Sequence, residues 1–423
     1  EMSSRGLGDV YKRQVYVETA GEYDVTMRFG SVDPDRTFSL TQCGTTLLED
    51  IQVPHVADWD QAKVWNVGKV RLGEGLQKIR LNVTGPDYQN IDWLHIGQYD
   101  GPIDEPDEPE VTCALPSRFQ WESSGELVGP RPGSGWASAK DPSVVYFDDK
   151  YHIFATYYQD GWKSFYSNFA DWSQASNAQQ TSFVGTRVNN MVAPQVFYFE
   201  PHGLWYTISQ WAYPYNAFYA TTNDITNPSS WSERKELLKN VPEGALDFWV
   251  ICDDTHCHLF FSRDDGVLYK AKTTIANFPN FTYSEATGIV MREPRAGDLF
   301  EAANVYKVDG QDLYLLLVEA MVNGNERYFR SWTAPTLDGP WTALADSYNN
   351  PFAGNTNVDW PTGKWSSQGI SHGEMVRSGF NQKLTIDPCN LEYIFQAESV
   401  NATAIGSGYG NLLYRLGKLK LKQ

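Results

Sequence analysis

Three acidic residues, Asp141, Asp247 and Glu301, and one histidine, His372, each head a run of alternating apolar residues. The runs open DPSVVYF, DFWVIC, EAANVY and HGEMV, and a fifth, APQVFYF, starts at Ala193. Carboxylates can divide acid–base work between them. One gives up a proton while another, ionised at the same pH, accepts one, and a nearby negative charge keeps the proton on its neighbour. Cleavage of a glycosidic bond requires that division. Singly, an Asp before Pro-Ser reads as a turn residue, an Asp before Phe-Trp as a strand cap and a Glu before Ala-Ala as the start of a helical turn. At equivalent places in successive repeats they read as one constellation.

The spacings that would bring them together are 52, 54, 54 and 71 residues, close to the roughly 40–50 residues of a propeller blade plus a loop. A propeller gathers the starts of its innermost strands on one axis, so residues distant in sequence become neighbours. Trp172, Trp231 and Trp341, with Phe281 in the matching place of another repeat, are expected to close the outer strands. No helical period extends beyond two or three turns, and the chain reads as all-β.

Before the repeats, residues 15–97 are short strands punctuated by Gly and Pro, the pattern of a β-sandwich. Residues 98–112, QYDGPIDEPDEPEVT, read as an acidic Pro-rich linker too polar to pack. Residues 1–14, EMSSRGLGDVYKRQ, have no apolar core of a signal peptide and read as a non-native leader on a truncated fragment.

With 34 Lys+Arg against 52 Asp+Glu and a net charge of −18, nucleic acid is an unsuitable partner. No run of 18 apolar residues is present to span a membrane. An acidic chain that is 14% aromatic suits a neutral polyhydroxylated ligand, although most of the rings are expected to fill sheet cores. Cys113 opens the repeat region and Cys389 lies in its last unit, so either a disulfide closes the ring or two buried thiols stay free. Cys252 and Cys257 fit strand cysteines or a local disulfide better than half a zinc site.

The strings CALPSRFQW, ASAKDPSVVYF, LDFWVICDDTHCHLFF, GDLFEAANVY, ISHGEM and DPCNLEYIFQ carry a resemblance over residues 113–423 to glycoside hydrolase family 62. These are five-bladed-propeller α-L-arabinofuranosidases acting on arabinoxylan. The resemblance implies an inverting reaction with Asp141 as general base and Glu301 as general acid. Asp247 would be the third carboxylate, which keeps the acid protonated and oriented. Base and acid are then expected to stand roughly 6.5–9.5 Å apart, with a water between. The resemblance further implies that Lys140 contacts arabinose hydroxyls, and that Gln210, Trp211 and Tyr409 line the xylan site. His372 would ligate a structural calcium ion.

At Gly410 the chain departs from the family, which often has a polar side chain there. Residues 15–97, through AGEYDVTMRF and NIDWLHIG, resemble carbohydrate-binding modules of family 6 or 35, as a partial module lacking the family's first strands, whose exposed edges put its fold at risk. Asn90 would be the sugar-binding asparagine. Lys63 falls where the family has a platform aromatic, unless a small gap moves Trp65 or Trp59 there.

The protein is thus expected to be a secreted monomer acting on arabinoxylan and arabinoxylo-oligosaccharides. Two rivals are an arabinan or xylo-oligosaccharide hydrolase like glycoside hydrolase family 43, and a non-catalytic sugar-binding propeller.

Overall fold

The computed structural model describes residues 11–85, 89–99, 101, 103–104, 113–212, 215–322, 324–403 and 406–422; the side chains of 11–13, 60, 211, 212 and 215 are left aside. The chain forms two compact units, 1–111 and 112–423. The described regular structure is strand apart from six short 3-10 turns. No helix among the described residues is long and apolar enough to cross a membrane.

In the first unit, strands Tyr11–Val17, Gly75–Val83, Thr37–Gln42 and Thr45–Gln52 make one sheet. Lys63–Leu72, Gly21–Gly30 and Asn90–Ile96 make the other. Alternate residues of both sheets, among them Val25, Met27, Phe29, Phe38, Leu40, Trp65 and Leu81, fill a separate core. The first strand starts at Tyr11 and pairs along Gly75–Val83, so the last four residues of the expected leader are built into the sheet. The segment expected to be an unpacked linker is also partly anchored. Tyr99 packs on Trp93 with ring centroids 5.2 Å apart, and Asp104 exchanges hydrogen bonds with the backbone of Val64. One aromatic ring and one carboxylate suffice to tie down a stretch whose average polarity argued against packing.

The second unit is a five-bladed propeller. Its inner strands are Lys140–Phe147, Val192–Phe199, Leu246–Cys252, Glu301–Val308 and Ser371–Met375, each in its own sheet, antiparallel apart from one short parallel pair in each of the last two; we number these sheets blades I to V. Blade V is shared by the two ends of the unit, since Trp121–Ser123 pairs with Tyr414–Leu421 and closes the ring. The 71-residue spacing before His372 holds additional chain that includes Val358–Asp359, paired in parallel with Trp121–Ser123. Cys113 and Cys389 are bonded to each other, as are Cys252 and Cys257 across a hairpin. Trp231 and Phe281 are almost fully buried, consistent with packing rather than binding.

Each inner strand carries a bulge at its start, where one extra residue stands against the middle strand. Such bulges bend a strand and re-aim its side chains. In four blades the second residue of the strand is left-handed: Asp141 (φ 48°), Ala193 (45°), Asp247 (54°) and Ala302 (53°). Each such conformation costs an L-residue about 1–2 kcal/mol. This register corrects the equivalence drawn from sequence. Asp141, Asp247 and His372 occupy the second position, whereas Glu301 occupies the first, level with Lys140. The spacings alone cannot detect a one-residue offset hidden in a bulge.

Candidate active site

At the mouth of the axis the imidazole of His372 stands between two carboxylates. Its Nδ1 lies 3.5 Å from Asp141 Oδ1 and 3.6 Å from Asp247 Oδ2. Both carboxylates are nearly buried, and the left-handed turn at each directs the side chain inward. Asp247 Oδ2 also accepts the N–H of Ala302 at 3.0 Å, which fixes it beside the strand that begins at Glu301. Burial, then the nearby Glu301 and Asp141, push the Asp247 carboxyl well above the ordinary aspartate range. Three acidic groups in one pocket cannot all ionise freely.

Glu301 accepts a hydrogen bond from Arg327 Nη1 at 2.9 Å, and the same nitrogen donates to Glu319 at 2.8 Å. The guanidinium also packs on the Phe300 ring, 4.6 Å from its centroid. Glu319 is fully buried. Its carboxylate accepts from the Ser371 hydroxyl at 3.0 Å and from the His372 N–H at 2.8 Å. Burial lifts the Glu319 carboxyl to about 7, against the pull of Arg327. Neither Arg327 nor Glu319 stands out in sequence, because each lies inside a strand, in LLLVEA and NERYF, with no motif around it.

Lys140 is 6% exposed, so it is not a solvated surface charge. Its Nζ donates to Tyr409 Oη at 3.2 Å and lies 4.0 Å from Asp141 Oδ1. Around it are the rings of Trp162 and Tyr409, each at 4.8 Å, and Tyr414 at 5.1 Å. Burial opposes its charge, but Asp141 and the two tyrosines outweigh that and hold the ammonium protonated. Trp162, which sequence reading passed over, and Tyr409 form one aromatic wall. Tyr409 is 59% exposed at the rim, the posture of a ring available for stacking. The glycine after it has a local reason, because a Cβ at Gly410 would meet the Tyr158 ring at 2.4 Å.

Gln210 is buried, and its amide oxygen accepts the Asp247 N–H. Trp211 follows it on the strand Leu204–Ala212, with its side chain outside the described residues. Asp264, in a turn of blade III, is a further acidic group the sequence did not single out. The residue is exposed, yet surrounding protein partly desolvates the carboxyl and, with Glu301 and then Asp247 nearby, pushes it up to about 7.

A cavity of about 10 Å³ is lined by Pro142, Pro194, Gln195, Asp247, Asn304 and His372, among others. That volume has room for about one water. Gln195 spends both ends of its amide on the backbone of Val250, whereas Asn304 Oδ1 is buried without a hydrogen-bond partner. Calcium takes six to eight oxygen ligands. Among the described residues no three His, Cys, Asp or Glu side chains are grouped to hold a metal. His372 and Asn304 Oδ1 could serve such an ion as two ligands, with water supplying the remainder.

In the first unit, Asn90 opens the strand Asn90–Ile96 and is half-buried. Of the alternatives for the platform position, Trp65 is in the core against Phe29. Lys63 is half-buried at the start of its strand, and Trp59 is 40% exposed.

Residues 120–420 match the model of Glycosyl hydrolase family 62. The chain belongs to this family. It is 56% identical over 319 residues to α-L-arabinofuranosidase C of Cellvibrio japonicus, a match covering 74% of this chain and 49% of that protein. The chain thus spans about half the length of this curated family 62 relative. Among solved family 62 structures, the catalytic domain of the Coprinopsis cinerea α-L-arabinofuranosidase is 42% identical with a TM-score of 0.67, covering 73% of this chain and 98% of that one. The Podospora anserina α-L-arabinofuranosidase in complex with cellotriose is 40% identical with a TM-score of 0.66 and the same coverage.

Proposed function

We propose that the propeller unit is an inverting, exo-acting α-L-arabinofuranosidase that releases single L-arabinofuranose branches from arabinoxylan. The observation that carries this reading is the convergence of Asp141 and Asp247 on His372, with Glu301 held beside them by Arg327. Asp141 would take a proton from water as its oxygen attacks the anomeric carbon. As the glycosidic C–O bond breaks, Glu301 would give its proton to the departing xylose oxygen. Asp247 and Glu301 would hold one proton between them, and with that proton on Glu301 the charge left on Asp247 favours the protonated acid. Lys140 offers its ammonium to sugar hydroxyls, and Tyr409 with Trp162 offers ring faces to the xylan chain. The Podospora relative was solved with cellotriose and another family 62 hydrolase with xylotriose, which supports an oligosaccharide main chain as the partner.

The same reading gives His372 a calcium ion, held largely through water, as a structural element. It reads the N-terminal unit as a carbohydrate-binding module, with Asn90 and an exposed ring such as Trp59 toward the sugar. Disulfides at Cys113–Cys389 and Cys252–Cys257 support an oxidising, extracellular setting.

The deciding experiment is a chromatogram of products from wheat arabinoxylan and linear arabinan, with the anomeric configuration followed by NMR. Free arabinose from arabinoxylan alone, released as the inverted anomer, is expected. Release from linear arabinan instead would favour a family-43-like hydrolase, and xylan binding without release a non-catalytic propeller.

A further inference from the structure

Each bulge frees the N–H of one inner-strand residue from its ladder, and a side chain takes every one of the five. Asp141 N–H donates to Gln396 Oε1 at 2.6 Å and Ala193 N–H to Thr156 Oγ1 at 2.9 Å. Asp247 N–H donates to Gln210 Oε1, Ala302 N–H to Asp247 Oδ2 and His372 N–H to Glu319 Oε2. Four of the acceptors occupy one position. Gln396, Thr156, Gln210 and Glu319 each lie on a middle strand, opposite the first residue of the preceding blade's inner strand. In blade III the corresponding residue is Ser262, opposite Leu246, and there Asp247 supplies the acceptor itself.

We infer that Gln396 is a positioning residue for the general base: it holds Asp141 in the left-handed conformation that aims its carboxylate into the pocket. The inference rests on the reading of Asp141 as base. A left-handed aspartate is maintained only where its surroundings over-determine it, and a buried peptide N–H needs an acceptor. Gln396, 3% exposed, supplies that acceptor without adding a charge beside the base. Its other end is fixed as well. Nε2 donates to Ser371 Oγ at 3.1 Å, Ser371 donates to Glu319 Oε1 at 3.0 Å, and Glu319 shares Arg327 with Glu301. One buried chain therefore ties the backbone of the base to the carboxylate of the acid. The amide matters because one end must accept and the other donate.

Blade II contains a chemically silent copy of the device, in which Thr156 holds Ala193, a residue with nothing to contribute to catalysis. The test compares the two. Gln396→Met should lower kcat on arabinoxylan by at least ~10-fold with KM changed less than ~2-fold, since small misplacements of a reacting group carry losses of that size. In an Asp141→Asn background the same substitution should change residual turnover by less than ~2-fold, because two residues acting through one group are not additive. Thr156→Val should lower the thermal midpoint while leaving kcat within ~2-fold of the parent. Ser371→Ala, a smaller deletion, should reduce kcat in the same sense and serves where Gln396→Met does not fold. Equal fold-losses from Gln396→Met with and without Asp141, or a loss no greater than that of Thr156→Val, would overturn the inference. Undiminished kcat in Asp141→Asn itself would remove the base reading, a separate result obtained before Gln396 is altered.

Discussion

Arg327 holds Glu301 and Glu319 with one nitrogen: Nη1 lies 2.9 Å from Glu301 Oε1 and 2.8 Å from Glu319 Oε1. A single cation thus serves two carboxylates, one of them fully buried. Removing one partner of such a pair leaves the other buried and uncompensated. Arg327→Gln should therefore lower the unfolding free energy by ~3–5 kcal/mol. Adding Glu319→Gln should recover part of that loss, because it removes the stranded charge. Denaturant unfolding of the two variants checks this, and an Arg327→Gln protein as stable as the parent would contradict it.

The proposed acid and base predict different rescues. Asp141→Asn and Glu301→Gln should each lower turnover on arabinoxylan by at least ~10²-fold. An activated aryl arabinofuranoside needs little protonation of its leaving group, so it should restore much of the Glu301→Gln rate and little of the Asp141→Asn rate. Equal restoration of both would refute the role assignment.

Asp247 offers a pH test. Its carboxylate faces the site from the neighbouring blade, and in the proposed mechanism its negative charge would keep the proton of the pair on Glu301. Asp247→Asn removes that charge, so Glu301 should lose its proton at lower pH and the alkaline limb of the pH–rate profile should move toward acid. An unmoved limb with ordinary activity would count against the role.

Stability should also depend on pH, through His258. This ring is fully buried. Nε2 stands 3.5 Å from Asp253 and Nδ1 3.9 Å from Asp338, and neither makes a hydrogen bond. Burial, aided by Lys270 and Lys272 and opposed by Asp338 and Asp253, pushes the imidazole down to about 4. The unfolded chain takes up the proton near 6.5, so the contribution of neutral His258 is present above that pH and lost as pH falls toward 4. His258→Leu should flatten the rise of unfolding free energy between pH 4 and 6.5. Urea unfolding at several pH values measures the slope, and an unchanged slope would exclude His258 as its source.

The propeller has its own core and its own closure by Trp121–Ser123. A protein comprising residues 112–423 alone should therefore match the full chain in kcat/KM on soluble arabinoxylan. A loss of more than ~10-fold, about 1.4 kcal/mol of transition-state stabilisation, would give the N-terminal unit a part in the reaction.

The period of apolar runs was legible in the chain, and with it the all-β character, the five blades and the convergence of Asp141, Asp247 and His372. These follow from side-chain alternation and repeat length, both one-dimensional properties. The motifs around Asp141, Asp247 and Glu301 also carried the family. Tertiary structure decided the rest, because register across a bulge and contacts between blades leave no mark in local sequence. The bulges set Glu301 level with Lys140 rather than with Asp141. Only the packed ring brings Arg327 and Glu319, ordinary strand residues by composition, to Glu301. Folding also buries Lys140 among Trp162, Tyr409 and Tyr414, and turns Gln396 and Gln210 inward to take the N–H groups of two left-handed aspartates. A buried polar group finds its partner wherever the fold places one, and in a propeller that partner is often a residue of the neighbouring blade.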